Sequence, residues 1–279
     1  MCVIAKNENL YINEFVNYYK KLGFKKIFLY DNNDIFGENF YKLLKNEIIS
    51  NFVKIINVRG RSYIQLSSYN HCYHKHLYKY LWFLFIDVDE YLYIKKNCSL
   101  NVFLNDKKFE KCENIHINYK DFGDSDLIKY DNRSIVEKFT KNFRYIASMK
   151  TFVRGGIQNA VMDIHYSINI KNYCNSEGQL INPGPYFTQE IVVDNAEIKH
   201  YITKSTEEFY ERLLKGWPSI KYKSLEYQFF VESRITNYFE INKINKKKFD
   251  ILSPLIKNKN LLIKLKEKLK RENLKALFL

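Results

Sequence analysis

The chain has 279 residues, enough to bury a large core as one domain or as a domain with an appendage. Its composition, 46% hydrophobic and 27% charged with 9 Gly and 4 Pro, is that of a globular protein, and no stretch reaches the roughly 18 apolar residues of a membrane span. The net charge of +14 is uneven: from Ile241 to Leu279 there are 12 Lys or Arg against 3 acids, which points to an anionic partner such as nucleic acid, a lipid surface or an acidic substrate.

In chain order, "CVIAK" (2–6) reads as a strand. Tyr11, Phe15, Tyr18 and Leu22 then fall on one face of a helix that Gly23 ends. "KKIFLYDNN" (25–33) reads as a second strand, and Phe40, Leu43 and Leu44 mark a short helix. "FVKIINV" (52–58) is a third strand, residues 62–80 a helix with Ser62 as a possible cap, and "LWFLFI" (81–86) a fourth strand. This alternation predicts a parallel sheet with crossover helices, its strands covered on both faces. Further on, 114–123, 147–155 and 162–170 read as strands without long helices between them, 171–190 as a loop, and everything from Ser205 as helical. The expected organisation is an α/β domain over 1–203 and a basic helical region over 204–279.

Five cysteines at wide spacing, with no CxxC pair, predict reduced thiols in a cytosolic protein. The N-terminus lacks the basic start and apolar core of a signal peptide. His71, Cys72, His74 and His76 lack a second ligand pair, so a zinc site is not expected. Gly155-Gly156 is not followed by the helix of a phosphate loop.

The apolar run "LWFLFIDVDEYLYI" (81–94) places Asp87, Asp89 and Glu90 together. Ligands of open α/β sheets sit beyond the carboxyl ends of the strands, where Asp87 and Asp89 are expected. In extended chain these two point the same way and repel unless a cation lies between them. Oxygen ligands suit Mg²⁺ or Mn²⁺, which in turn suit a diphosphate.

A resemblance extends this reading. "IAKNENLYINEFVNYYKKLGFKKIFLYDNND", "SYNHC" (68–72), "FIDVDEYL" (85–92), "YKDFGDSDL" (119–127) and "KHYITKSTEEFYERLLKG" (199–216) resemble, in order, the blocks of family 92 glycosyltransferases and their family-2-like bacterial relatives. Departures are Tyr119 where the family tends to have Trp, Asp124 and Asp126-Leu127 in place of Ser and Gly-His, and Lys199 in place of Asn. The resemblance implies a GT-A fold, Rossmann-like with a mainly parallel central sheet and a DxD motif. It implies a nucleotide-sugar donor, UDP-sugar being favoured, a Mn²⁺ or Mg²⁺ cofactor, and inverting transfer to a glycan or lipid-linked glycan acceptor, as in capsule or lipopolysaccharide synthesis. Asp89 is then a metal ligand, Asp87 a ligand or a ribose contact, and His200 the third ligand. Lys6, Asn7, Glu8 and Asp31 fall on the nucleotide side, with Asp31 an acceptor for uracil or ribose. Arg59 and Arg61 are candidates for phosphate, and Asp126 and Asp163 for the general base.

Two competing classes are a non-catalytic homologue acting as a scaffold and a nucleic-acid-binding protein. The 23 Tyr and 21 Phe lie mostly in apolar runs and no nucleic-acid motif occurs, so no nucleic-acid partner is expected. In the tail, Leu262, Leu265, Leu269 and Ala276 line one helical face, with Lys264, Lys268, Arg271 and Lys275 on the other side. Such a helix can lie peripherally on the inner face of the plasma membrane or pack on the catalytic domain.

Overall fold

A computed structural model describes all residues except 96–97, 142, 183, 185–186, 216–223 and 277–279, and describes 274–276 by backbone alone. Residues 1–120 with 145–200 form one compact unit, and 121–144 with 201–279 a second. The expected division after residue 203 lies close to the chain's crossing at 200/201, but residues 121–144 group with the C-terminal helices.

The first unit opens with β1 (Cys2–Ala5), α1 (Ile12–Leu22), β2 (Ile27–Asp31), α2 (Phe40–Leu43), α3 (Lys45–Ile49), β3 (Val53–Asn57) and α4 (Gln65–His76). Strands β1, β2 and β3 are parallel neighbours, as the alternation predicts. Gly23 closes α1 at φ 102°, a conformation glycine adopts without the Cβ penalty, and its N–H caps the last turn. α4 starts later than expected. Tyr63 kinks the chain at φ 56°, so Ser62 does not cap the helix.

The unit continues with β4 (Trp82–Leu84), β5 (Glu90–Ile94), α5 (Leu100–Leu104), β6 (Asn114–Phe122), β7 (Phe143–Arg154), β8 (Val161–Met162), β9 (Ser167–Ile168), β10 (Tyr173–Cys174) and β11 (Ala196–His200). In the sheet order β4-β7-β6-β11-β5 the pairs β4–β7 and β11–β5 are antiparallel, so the sheet is mixed here where a mainly parallel one is expected, and β10 joins β6 in parallel. A parallel bridge from Cys2 to Phe85 joins β1 to the end of β4. Residues 162–170 form no single strand. They fold into the β8–β9 hairpin, because Asp163 donates its N–H to the Tyr166 carbonyl and closes a turn.

Tyr69, Tyr73, Phe83, Phe85, Phe28 and Val153 anchor the core of this unit. Gly155 is a packing position, since a Cβ there would lie 2.1 Å from the Tyr80 carbonyl oxygen. The cysteines depart from expectation: Cys112 and Cys174 form a disulfide, while Cys2, Cys72 and Cys98 are free thiols. Pairing of β10 with β6, Cys174 opposite Ile115, brings the two Cα atoms to 5.9 Å. The cysteine argument for a reducing compartment falls with that bond.

The second unit holds α6 (Ile135–Lys138), α7 (Thr206–Lys215), α8 (Leu225–Ile241), α9 (Lys246–Leu252) and α10 (Lys259–Ala276). Its core joins Phe209, Leu213, Ile235, Tyr238 and Leu252 to Leu265 and Leu269 of α10. The apolar stripe of the tail is thus buried against neighbouring helices. Ala276 and Lys275 lie outside the described side chains.

Candidate active site

The run 81–94 is two strands with a turn between them. β4 ends at Leu84, and the Glu90 N–H donates to the Asp87 carbonyl at 3.1 Å, so the chain reverses across the acids. Asp87 and Asp89, expected to face one ligand from extended chain, therefore lie in a turn, Asp87 beside Lys150 and Asp89 beside His200. The turn delivers Glu90 to the first position of β5, where α1 fixes the backbone. The Tyr19 hydroxyl donates to the Glu90 carbonyl at 3.0 Å and accepts from the Leu92 N–H at 2.9 Å, and the Tyr18 hydroxyl donates to the Leu92 carbonyl at 2.6 Å.

Antiparallel pairing of β5 with β11 sets His200 directly opposite Glu90. One ligand atom each from Asp89, Glu90 and His200 lies within 4.8 Å of the others, and all three residues are buried. His200 Nε2 stands 3.7 Å from Asp89 Oδ2. Two carboxylates and an imidazole suit a borderline cation such as Mn²⁺ better than Mg²⁺, so this donor set fits the metal that the resemblance implies. Among the described residues this is the one group of acid, histidine and cysteine side chains so arranged. Asp87, expected as a ligand, is outside it, and Glu90 completes the trio.

Asp87 instead faces Lys150 of β7, whose Nζ stands 3.0 Å from Asp87 Oδ2, 3.5 Å from Glu90 Oε2 and 3.3 Å from the Ile164 carbonyl. Lys150 is fully buried. Burial pulls its pKa down, and the Asp87 and Glu90 carboxylates more than reverse this, so the ammonium is held above its ordinary value. The Tyr119 hydroxyl donates to Glu90 Oε1 at 2.7 Å, with its ring 4.9 Å from that of His200. Burial first, then the Glu90 charge, raises the tyrosine well above its usual range. Burial also raises Glu90 itself; Lys150 and His200 oppose the rise, while Asp87 and Asp89 reinforce it. His165 donates from Nδ1 to the Met149 carbonyl at 3.1 Å, and burial followed by the Lys150 charge holds it down at about 4.

The residues expected on the nucleotide side gather at the ends of β1, β2 and β3. Asp31 is fully buried: Oδ1 accepts from the N–H and side-chain amide of Asn33, and Oδ2 pairs with Arg59 at 3.2 Å. Both of its oxygens thus have partners within the protein. Arg59 also donates to the Asp34 carbonyl at 2.7 Å and the Gly37 carbonyl at 3.1 Å, stapling the loop after β2. Lys6 pairs with Asp34 at 2.7 Å, and Asn7, at φ 55°, donates its N–H to Asn33 Oδ1 at 2.8 Å. The Glu8 carbonyl starts α1 by accepting from the Tyr11 and Ile12 N–H groups.

The two candidate bases lie in different units. Asp163 sits in the β8–β9 turn, one residue before the carbonyl that accepts from Lys150. Asp126, at φ 66°, is half exposed and 3.3 Å from Lys248, which is itself buried against Asp124 at 2.8 Å. The histidines set aside as zinc ligands have other roles: His71 Nδ1 bonds the Tyr30 hydroxyl at 2.6 Å and His76 stacks on Phe28 with centroids 4.1 Å apart. Sequence reasoning passed over Lys150 and the place of Glu90 beside Asp89 and His200. The available signals were a single lysine inside the apolar run "MKTFV" and an acid directly following the DxD triplet.

Comparison with known proteins gives one family. The model of "Glycosyltransferase family 92" matches residues 1–248. No curated protein matches the chain. Similar solved structures include S. aureus TarS residues 1–349, 12% identical over 96% of this chain and 87% of that one with a TM-score of 0.40. The same fragment in complex with UDP is 12% identical over the same shares with a TM-score of 0.42, and apo UDP-glucose pyrophosphorylase is 12% identical over 72% and 89% with a TM-score of 0.29.

Proposed function

The chain belongs to glycosyltransferase family 92, and from that membership we propose that it transfers a sugar from a UDP-sugar to a glycan acceptor with one divalent cation at Asp89, Glu90 and His200. The observation that carries the reading is the convergence of those three buried donors where the β4–β5 turn meets the end of β11. A bound Mn²⁺ or Mg²⁺ supplies charge that offsets the leaving diphosphate. Asp89 and Glu90 provide hard oxygen donors, and His200 favours Mn²⁺. Tyr119 and the backbone clamp of Tyr19 hold Glu90 in place. Asp31 and Arg59 act through the loop they order, which leaves Lys6 and Asn7 at its edge toward the nucleotide.

Inverting transfer requires a base on the acceptor hydroxyl, and Asp126 and Asp163 are its candidates. Asp163→Asn and Asp126→Asn separate them: the base variant keeps donor binding and loses transfer. The acceptor class in this reading is a bacterial surface glycan, capsule or lipopolysaccharide, or its lipid-linked precursor.

A thermal-shift screen of UDP-sugars with Mn²⁺ and with EDTA tests the proposal. Asp89→Ala is expected to lose the metal-dependent shift and at least 100-fold in transfer and in UDP-sugar hydrolysis, about 3 kcal/mol of transition-state stabilisation or more. Undiminished turnover in excess EDTA rejects the metal; absence of any nucleotide-sugar shift rejects the donor.

A further inference from the structure

Four charged side chains meet at the β4–β5 turn and β7, and only two of them belong to the ligand trio. A fully buried lysine is costly unless carboxylates compensate it, and a cluster of three carboxylates, of which Asp89 and Glu90 are buried and Asp87 half-buried, is costly unless cations do. Lys150 and Asp87 meet both needs. The β4–β7 register, Leu84 opposite Phe152, brings Lys150 level with the end of β4 just before Asp87. There its Nζ bonds Asp87 Oδ2 at 3.0 Å and the Ile164 carbonyl at 3.3 Å, and lies 3.5 Å from Glu90 Oε2.

We propose that Lys150 is a positioning residue: an internal counter-cation that ties Asp87 out of the ligand set and reserves Asp89, Glu90 and His200 for a single divalent cation. This rests on the metal reading above. Its logic is charge matching. Three carboxylates and one ammonium leave a charge of −2 beside a metal-ligating imidazole, which is neutral. One divalent cation balances that. Without the ammonium the same pocket carries −3, Asp87 is released, and the carboxylates repel until a cation enters. Lys150 touches neither donor nor acceptor in this account. It acts through Asp87 and Glu90, the one removed from the metal and the other oriented toward it, with Tyr119 holding the opposite oxygen of Glu90 at 2.7 Å.

The test is a thermal-unfolding cycle on the full chain with wild type, Lys150→Met, Asp87→Asn and the double variant, each in EDTA and in millimolar Mn²⁺. In EDTA, Lys150→Met is expected to melt about 10 °C lower, since buried Glu90 and half-buried Asp87 both lose their counter-charge. The double variant regains most of that loss because both charges are gone. Mn²⁺ raises the melting temperature of Lys150→Met by more than it raises wild type, because the cation now supplies the missing charge. A residue that merely fills space predicts additive losses in EDTA and equal Mn²⁺ shifts, and that result overturns the proposal. If Lys150→Met does not fold, recovery of folding in the double variant supports the proposal and failure of both overturns it. Wild type without any Mn²⁺ shift rejects the metal reading and, with it, the reserved-cation part of the role. The EDTA cycle then decides by itself whether Lys150 compensates Asp87.

Discussion

His116 lies 1% exposed on β6, facing Tyr173, with neither ring nitrogen hydrogen-bonded. Burial holds its pKa at about 4, below the 6.5 of an unfolded histidine. Well above pH 6.5 both states are neutral and the histidine adds no pH dependence. As pH falls from 6.5 toward 4 the unfolded chain takes up a proton that the folded chain refuses. Stability is therefore lost over that window, by up to about 3 kcal/mol for this residue. Denaturant midpoints from pH 7 to pH 4 are expected to fall less steeply in His116→Phe than in wild type; parallel profiles refute the assignment. Nothing in "NIHINY" distinguishes this buried, unpartnered histidine from His200, which enters the ligand trio. Residue type is visible in the sequence, whereas the environment that sets its chemistry is not.

At the scale of elements, α1 does more than cover the sheet. Its stripe is legible from spacing, although the buried positions are Ile12, Phe15, Val16 and Tyr19 and the predicted face centred on Tyr11, Phe15, Tyr18 and Leu22. The shift matters because it turns the Tyr19 hydroxyl onto β5. Tyr19→Phe leaves the Leu92 N–H without that acceptor and the Glu90 carbonyl without that donor. It is expected to cost about 1–3 kcal/mol of stability in urea unfolding. By loosening the first residue of β5 it is also expected to weaken Mn²⁺ binding severalfold. A stability loss with an unchanged Mn²⁺ midpoint limits Tyr19 to packing. The β8–β9 hairpin and the β4–β5 turn were missed for a shared reason. Each turn is closed by one backbone hydrogen bond inside a run whose composition reads as strand, and an apolar run has no period that announces where it reverses.

On the scale of the whole molecule, the question is where the basic tail spends its leucines. Leu265 and Leu269 are buried in the core of the second unit, with Leu261 and Leu262 packed against it, while Lys264, Lys266, Lys270 and Arg271 are exposed. Among the described residues no helix is long and apolar enough to cross a membrane. Leu269→Ala is therefore expected to destabilise the protein by about 2–4 kcal/mol in lipid-free buffer. A leucine held for a membrane costs nothing there, so an unchanged urea midpoint restores the membrane-facing stripe. Any anionic surface that the tail meets is left with the lysine face, whose attraction is screened by salt.

By itself the sequence determined the α/β class, the strand–helix alternation as far as β4 with one helix where the fold has α2 and α3, the helical C-terminus and the ordered motif blocks that mark family 92. Those features depend on local periodicity and on short contiguous strings, and both survive without a fold. It also supplied two of the three clustered donors, Asp89 and His200. Only the tertiary structure decided that Glu90 joins them and that Asp87 does not. The physical reason is that ligand geometry is set by strand register and by a turn. His200 reaches Glu90 through the antiparallel pairing of β11 with β5, and Lys150 reaches Asp87 through that of β7 with β4. The Cys112–Cys174 bond has the same origin, since β10 pairs with β6 across a separation of 62 residues. Such pairings are chosen by the burial of whole faces, a property of the folded chain that no local window contains.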